Sequence, residues 1–184
     1  MRDIEQRPIP ESYWVEEGCF LAGEYPGRFD VEQTRKRLDA LIEAGFNTFI
    51  DLTKENETTP YLRILNEQSQ AYDVEIQHYR FPIGDFGLPT PKLMKSILDQ
   101  IDASLQAGRK VYLHCWGGIG RTGTTVGCYL VRRGANGNDA LRQLAAWWRG
   151  VPKSSIHLQS PETLEQATFI LKWKNYEESP NDAL

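Results

Sequence analysis

Cys115 and Arg121 stand six positions apart, with Trp116-Gly117-Gly118-Ile119-Gly120 between them and Thr122 directly after. Three glycines in that span let the backbone fold in on itself without Cβ clashes, so that successive N–H groups converge on one point. The apolar run Val111 to Leu113 leads into the segment, and a helical-looking run from Thr124 to Arg133 follows it. Strand, tight loop and helix in that order put the loop at a helix N-terminus, where the dipole favours an anion. This is a phosphate cradle with a thiol inside it. A thiol so placed is itself held as the thiolate, an activated nucleophile facing a bound phosphorus. Arg121 supplies a planar fork that grips two phosphate oxygens and follows their charge into the transition state. Thr122 can donate a hydrogen bond to the sulfur, helping it leave when a phosphoenzyme is hydrolysed.

The same chemistry needs an acid, because the leaving alkoxide or phenoxide must be protonated as the P–O bond breaks. Asp85 lies 30 positions before Cys115 (115 − 85), in Gly84-Asp85-Phe86-Gly87-Leu88-Pro89-Thr90-Pro91. A loop with two glycines and two prolines around a single carboxylate suits a mobile acid. A turn carboxylate that caps a loop N–H is the plainer reading.

His114-Cys115-Trp116-Gly117-Gly118-Ile119-Gly120-Arg121-Thr122 resembles the signature loop of the cysteine-dependent protein tyrosine and dual-specificity phosphatases: Cys-x5-Arg, then Ser or Thr, with His before the Cys. Its wording is most similar to the cyclin-dependent kinase-associated phosphatase branch. The resemblance implies Cys115 as nucleophile, Arg121 with the loop amides of Trp116, Gly117, Gly118, Ile119 and Gly120 as phosphate binder, and Asp85 as general acid. It implies that His114 bonds within the loop and fixes the Cys backbone. Gly84 stands where the family usually has Pro, which loosens the acid's loop. Thr163-x-x-Gln166-x-x-Phe169 is similar to the segment whose Gln positions water for phosphoenzyme hydrolysis. The implied reaction is hydrolysis of phosphotyrosine, with phosphoserine and phosphothreonine also open, through a cysteinyl phosphate and with no metal or organic cofactor. All five residues inside the loop are neutral, whereas members acting on inositol polyphosphates usually carry basic ones there. A small-molecule phosphomonoesterase and a phosphate-binding module without turnover are the alternatives. Binding alone does not require a nucleophile.

Gly118-Ile119-Gly120-Arg121-Thr122-Gly123 also spells the dinucleotide fingerprint G-x-G-x-x-G. That motif needs a second strand ending in an acidic residue about 20 positions on. Asp139 instead lies at an apparent helix start. A Walker loop would need Lys where Arg121 stands. His78, His114 and His157 are too scattered for a metal site.

The elements that must position these residues read as alternating strands and helices, which argues for an α/β fold with a mainly parallel central sheet flanked by helices, similar to a compact dual-specificity phosphatase domain. Strands are expected at Trp14-Val15, Cys19 to Ala22, Phe46 to Leu52, Val74 to Ile83 and Val111 to Leu113. Helices are expected from Val31 to Ala44, capped by Asp30, from Tyr61 to Gln70, from Pro91 to Ala107, capped by Thr90, from Asn136 or Asn138, and from Pro161. Gly123 and Gly127 lie four apart, one face suited to close packing on the sheet. The cluster Arg35-Lys36-Arg37 reads as a solvated face. Residues 1–13 read as a polar surface arm and 175–184 as a frayed tail around one domain spanning 1–184.

Forty per cent apolar, a quarter charged and a net charge of −4 fit a soluble globular chain. They argue against nucleic-acid or membrane partners. Met1 to Glu5 lacks an apolar signal core, and no run approaches a membrane span. Three cysteines, an odd number, do not suggest a disulfide framework. The expectation is a cytoplasmic monomer acting on a phosphorylated protein.

Overall fold

The computed structural model describes residues 7–179. Among the described residues, five strands and six α-helices follow one another as β1 (Ser12–Glu16), β2 (Phe20–Gly23), α1 (Val31–Glu43), β3 (Phe46–Asp51), α2 (Leu62–Ala71), β4 (Gln77–Arg80), α3 (Pro91–Gln106), β5 (Lys110–His114), α4 (Gly120–Arg132), α5 (Gly137–Trp148) and α6 (Leu164–Glu178), with a 3-10 turn at Pro152–Ser155 before α6. The sheet order is β1-β2-β5-β3-β4. Only the β1–β2 pair is antiparallel; β2–β5, β5–β3 and β3–β4 run parallel.

β5 is the central strand, and its composition explains why. Val111 and Leu113 enter one apolar core with Ile97, Leu98 and Ile101 of α3 and Val126 of α4, while Tyr112 enters a second with Leu38, Leu41 and Leu65 from α1 and α2. A strand apolar on both faces must be covered on both sides, so the sheet becomes the middle of three layers. Each fully buried large side chain contributes roughly 1.5–3 kcal/mol. The helix starts follow the sequence. Asp30 accepts from the Gln33 N–H at 2.8 Å, Thr90 from Leu93 at 3.1 Å and Asn136 from Asp139 at 2.9 Å. Each cap satisfies an amide that the helix itself leaves unpaired.

Several expectations are corrected. β1 starts at Ser12 and Ile9 is buried, so the arm read over 1–13 contributes to the core; its first six residues lie outside the described ones. Cys19 sits in the β1–β2 turn rather than in a strand. β4 keeps only Gln77–Arg80, because only those residues pair with β3. α4 begins at Gly120, four residues before the expected start, so Arg121 is helical. α6 begins at Leu164, since Thr163 closes a capping box with Gln166, and it continues through the expected tail to Glu178; residues 180–184 lie outside the described ones. The small face of α4 packs on α6 and its approach, not on the sheet: a Cβ on Gly127 would strike Ile170, and one on Gly123 would lie 3.3 Å from Pro161. Arg37 turns inward to Glu24 at 2.6 Å.

Candidate active site

Parallel strands that end side by side bring the loops after them together. Asp51 at the end of β3 is in register with His114 at the end of β5 and with Arg80 at the end of β4. The Cys115 loop, the segment after β3 and the acid loop after β4 therefore meet at one edge of the sheet.

Cys115 and Arg121 are both buried to 2% exposure. Among the described residues, the backbone N–H groups of Trp116 to Ile119 have no protein acceptor, and they precede the N-terminus of α4. That leaves them free for an anion. Gly118 adopts φ +75°, and a Cβ there would lie 2.5 Å from the Gly23 carbonyl carbon and 2.6 Å from the Glu24 nitrogen. Both the left-handed backbone and the contact with β2 demand glycine at this position. The Trp116 carbonyl accepts from the Tyr25 N–H at 3.0 Å, fixing the loop's other side.

Arg121 is held in a way the sequence did not suggest. Its two terminal nitrogens donate to both Glu57 oxygens at 2.9 and 2.6 Å, and one also donates to the Ile83 carbonyl at 3.0 Å. This bidentate grip outweighs the burial that would raise the Glu57 carboxyl and holds it below its usual range. Asp85 joins from the acid loop, accepting from Arg121 at 3.1 Å while its side chain stays half exposed. The acid loop turns through a Gly87 N–H to Gly84 carbonyl bond of 2.8 Å, and Phe86 carries φ +54°, an uncommon backbone for a bulky residue.

His114 is fully buried next to Cys115. Its Nδ1 lies 3.2 Å from the Cys115 carbonyl and its Nε2 2.8 Å from the Tyr61 hydroxyl. Burial pushes the imidazole down to about 4 despite Asp51 nearby, so it is neutral at pH 7. A neutral ring that donates from Nδ1 to the carbonyl and accepts from Tyr61 satisfies both nitrogens. Asp51 is buried as well. Burial alone would raise its carboxyl, but His114, His78 and two bonds from Thr53 hold it below the ordinary range. Arg80 pairs with its other oxygen at 3.0 Å.

Gln166 is buried beside the loop, where a Cβ on Gly120 would come within 2.9 Å of its amide. Its Oε1 accepts from the Glu162 and Thr163 amides at 3.1 and 3.2 Å, and its Nε2 donates to the Gly87 carbonyl at 3.3 Å. The residue thus joins α6 to the acid loop. Thr122 is buried in the first turn of α4, and the expected bond to the sulfur is not formed: its hydroxyl has no partner among the described residues.

A cavity of about 300 Å³ opens over Cys115, lined among others by Asp85, Phe86, Trp116, Lys153, His157 and Glu162. The last three come from the segment between α5 and α6. Sequence reading gives none of them a role in the site: Lys153 carries no motif, His157 is set aside as a metal ligand, and Glu162 falls in the helix expected from Pro161. Lys153 donates to the Gly117 carbonyl at 3.2 Å and pairs with buried Glu24 at 2.5 Å, latching the segment to the cradle. Burial and then the nearby Asp85 raise the Glu162 carboxyl above its ordinary range. Among the described residues, no group of three His, Cys, Asp or Glu side chains is arranged to hold a metal ion.

Solved structures share this fold. The active form of Tk-PTP superposes with a TM-score of 0.68 at 24% identity, covering 92% of this chain and 99% of that one. Kinase-associated phosphatase with its catalytic cysteine replaced by serine gives a TM-score of 0.70 at 18% identity, covering 93% and 96%. The fold is that of the cysteine-dependent tyrosine and dual-specificity phosphatases. Among curated proteins, cyclin-dependent kinase inhibitor 3 of Sus scrofa is 23% identical over 150 residues, 72% of this chain and 70% of that one. Dual specificity protein phosphatase CDC14C of Homo sapiens is 27% identical over 101 residues, half of this chain but only 22% of the human protein. This chain spans about a fifth of that relative's length. A family profile described as Tc-R-P, "Polymorphic toxin system, DSP-PTPase phosphatase", matches residues 25–135. The chain belongs to this family of cysteine-dependent phosphatases, as its signature loop implied.

Proposed function

We propose that the chain is a protein phosphatase that hydrolyses phosphotyrosine through a cysteinyl phosphate. The observation that carries the reading is the convergence of Cys115, a doubly anchored Arg121 and Asp85 on one cavity at a helix N-terminus.

The Cys115 thiolate attacks phosphorus, forming a P–S bond as the ester P–O bond breaks. The free amides of the loop hold the equatorial oxygens as they stand, and Arg121 joins them as Asp85 releases its guanidinium and turns to the leaving oxygen. Asp85 delivers its proton to the leaving oxygen. Water then gives a proton to Asp85 and its oxygen to phosphorus; the P–S bond breaks and inorganic phosphate departs. The buried, unpaired Thr122 hydroxyl is a donor for the sulfur as it leaves. Gln166 acts on this step through the acid loop that it holds. No step is routed through a metal or organic cofactor. The three free cysteines and a thiolate nucleophile suit a reducing compartment, which favours a cytoplasmic setting. Among the described residues no helix is long and apolar enough to cross a membrane.

Hydrolysis of an aryl phosphate, with chelator and reductant present, tests the reading. Wild type is expected to turn over and Cys115→Ser to be inactive while still binding phosphate. Turnover by Cys115→Ser would remove the nucleophile assignment, and a metal requirement would remove the cofactor-free route.

A further inference from the structure

The segment between α5 and α6 has two faces. His157 and Glu162 line the catalytic cavity. Gln159, Ser160, Pro161 and Thr163, their immediate neighbours, line a second pocket of about 240 Å³ that Leu141 of α5 and Leu164 and Ala167 of α6 complete. One stretch of chain is thus a partition between the two spaces.

The partition is pinned. The Ser160 hydroxyl donates to the Ile119 carbonyl of the cradle at 2.8 Å, and the Trp148 indole N–H to the His157 carbonyl at 2.7 Å. The pocket's polar groups are engaged as well. The Gln159 side-chain amide donates to the Glu162 carbonyl at 3.3 Å, and the Thr163 hydroxyl accepts from the Gln166 N–H at 3.2 Å. None of the described residues lining the pocket is charged, so its open surface is mainly aliphatic. The same stretch holds Ile156 at 80% exposure, Leu158 at 84% and Leu164 at 78%. Single exposed leucines are ordinary. Three large aliphatic side chains within residues 156–164, on a pinned segment that also walls the catalytic cavity, mark a surface for a partner.

We propose that this second pocket receives an aliphatic side chain of the substrate, one to three positions from the phosphorylated residue, and so selects the sequence around it. The inference rests on the phosphatase reading above and deepens it with a subsite that does not touch the phosphate. Pro161 faces the pocket and Glu162 the cavity, and consecutive Cα atoms are about 3.8 Å apart. An extended peptide advances about 3.3 Å per residue and turns alternate side chains to one face. With its phosphate in the cradle, such a peptide has only the partition to cross before a side chain meets the pocket. A leucine, isoleucine or valine leaves water there. A charged residue would lose its hydration and find no partner.

The test uses phosphotyrosine peptides of serine and glycine, with one leucine placed in turn at each of three positions before and after the phosphotyrosine. Turnover by the full chain is expected to favour leucine at one or two positions, all on one side, by about tenfold in kcat/KM over the leucine-free peptide. Aspartate at the same position is expected to abolish that gain. Two variants locate the effect. Leu164→Ser removes one wall and Ala167→Leu fills the pocket; each is expected to erase most of the leucine preference while p-nitrophenyl phosphate is hydrolysed at the wild-type rate. Equal thermal midpoints would show that folding is intact, and Leu164→Ser, at an exposed position, decides alone where Ala167→Leu does not fold. No preference at any of the six positions, or a preference that survives in Leu164→Ser, would overturn the pocket. So would a wild-type dimer in sedimentation that Leu164→Ser disperses, which would assign the surface to a second copy of the chain. Absence of turnover on every peptide and on p-nitrophenyl phosphate would strike the phosphatase reading, and the subsite with it. Turnover without leucine preference would strike the subsite alone.

Discussion

Glu57 decides where Arg121 can point. Two Glu57 oxygens and the Ile83 carbonyl take three of the guanidinium's donors and Asp85 a fourth, so a phosphate meets the Nε–H and the donor that Asp85 gives up. Replacing the carboxylate weakens charge-assisted bonds worth about 1.5–3 kcal/mol each. Glu57→Gln is therefore expected to lower kcat/KM about tenfold or more and to weaken inhibition by inorganic phosphate; wild-type values for both would show that the cradle orients Arg121 unaided. Asp85 makes a different contribution. It is half exposed and tied to the cradle through Arg121, so Asp85→Asn should preserve the site and remove only the proton. Turnover of phenyl phosphate is then expected to fall about a hundredfold, and that of p-nitrophenyl phosphate far less, because a good leaving group needs no acid. Equal losses would place the proton donor elsewhere, with the raised carboxyl of Glu162 the next group to replace.

At the level of the elements, the cradle depends on how closely β2 lies beneath it. The left-handed Gly118 rests on the backbone of Gly23 and Glu24, where nothing can give way as a flexible side chain would. Gly118→Ala is expected to cost about 2 kcal/mol or more in urea unfolding and to abolish measurable turnover. Normal activity in that variant would mean that the loop has another productive shape. The cradle was legible because its chemistry is local: Cys115, the glycines and Arg121 occupy consecutive positions, and their spacing alone specifies a loop. Asp85 was legible for the same reason, a lone carboxylate among turn residues. Glu57, Glu162 and Lys153 were not. They lie on segments without apolar periodicity and reach the site only because β3 and β5 end in register and because α6 folds back across α4. The inward turn of Arg37 was hidden likewise, since its partner Glu24 is thirteen residues away on another element.

For the whole molecule, the buried imidazole beside Cys115 makes stability depend on pH. His114 is held near 4 in the fold against an ordinary value of 6.5, so the unfolded chain takes up a proton that the folded chain refuses. Its contribution is complete above about pH 6.5 and is lost as pH falls toward 4, by up to about 3 kcal/mol. Urea midpoints measured between pH 7 and 4.5 are expected to fall more steeply for wild type than for His114→Asn; parallel curves would locate the acid sensitivity elsewhere. The position of β5 has a consequence for synthesis. Leu113 pairs with Ala22 on one side and Ile50 on the other, partners 91 and 63 residues upstream (113 − 22 and 113 − 50), while the walls that complete the cavity, Lys153 and Glu162, are made after it. The strand partners of β5 are thus already made when Cys115 is added to a growing chain, whereas two walls of the cavity are not. The pocket is completed only after the segment between α5 and α6 has been synthesised.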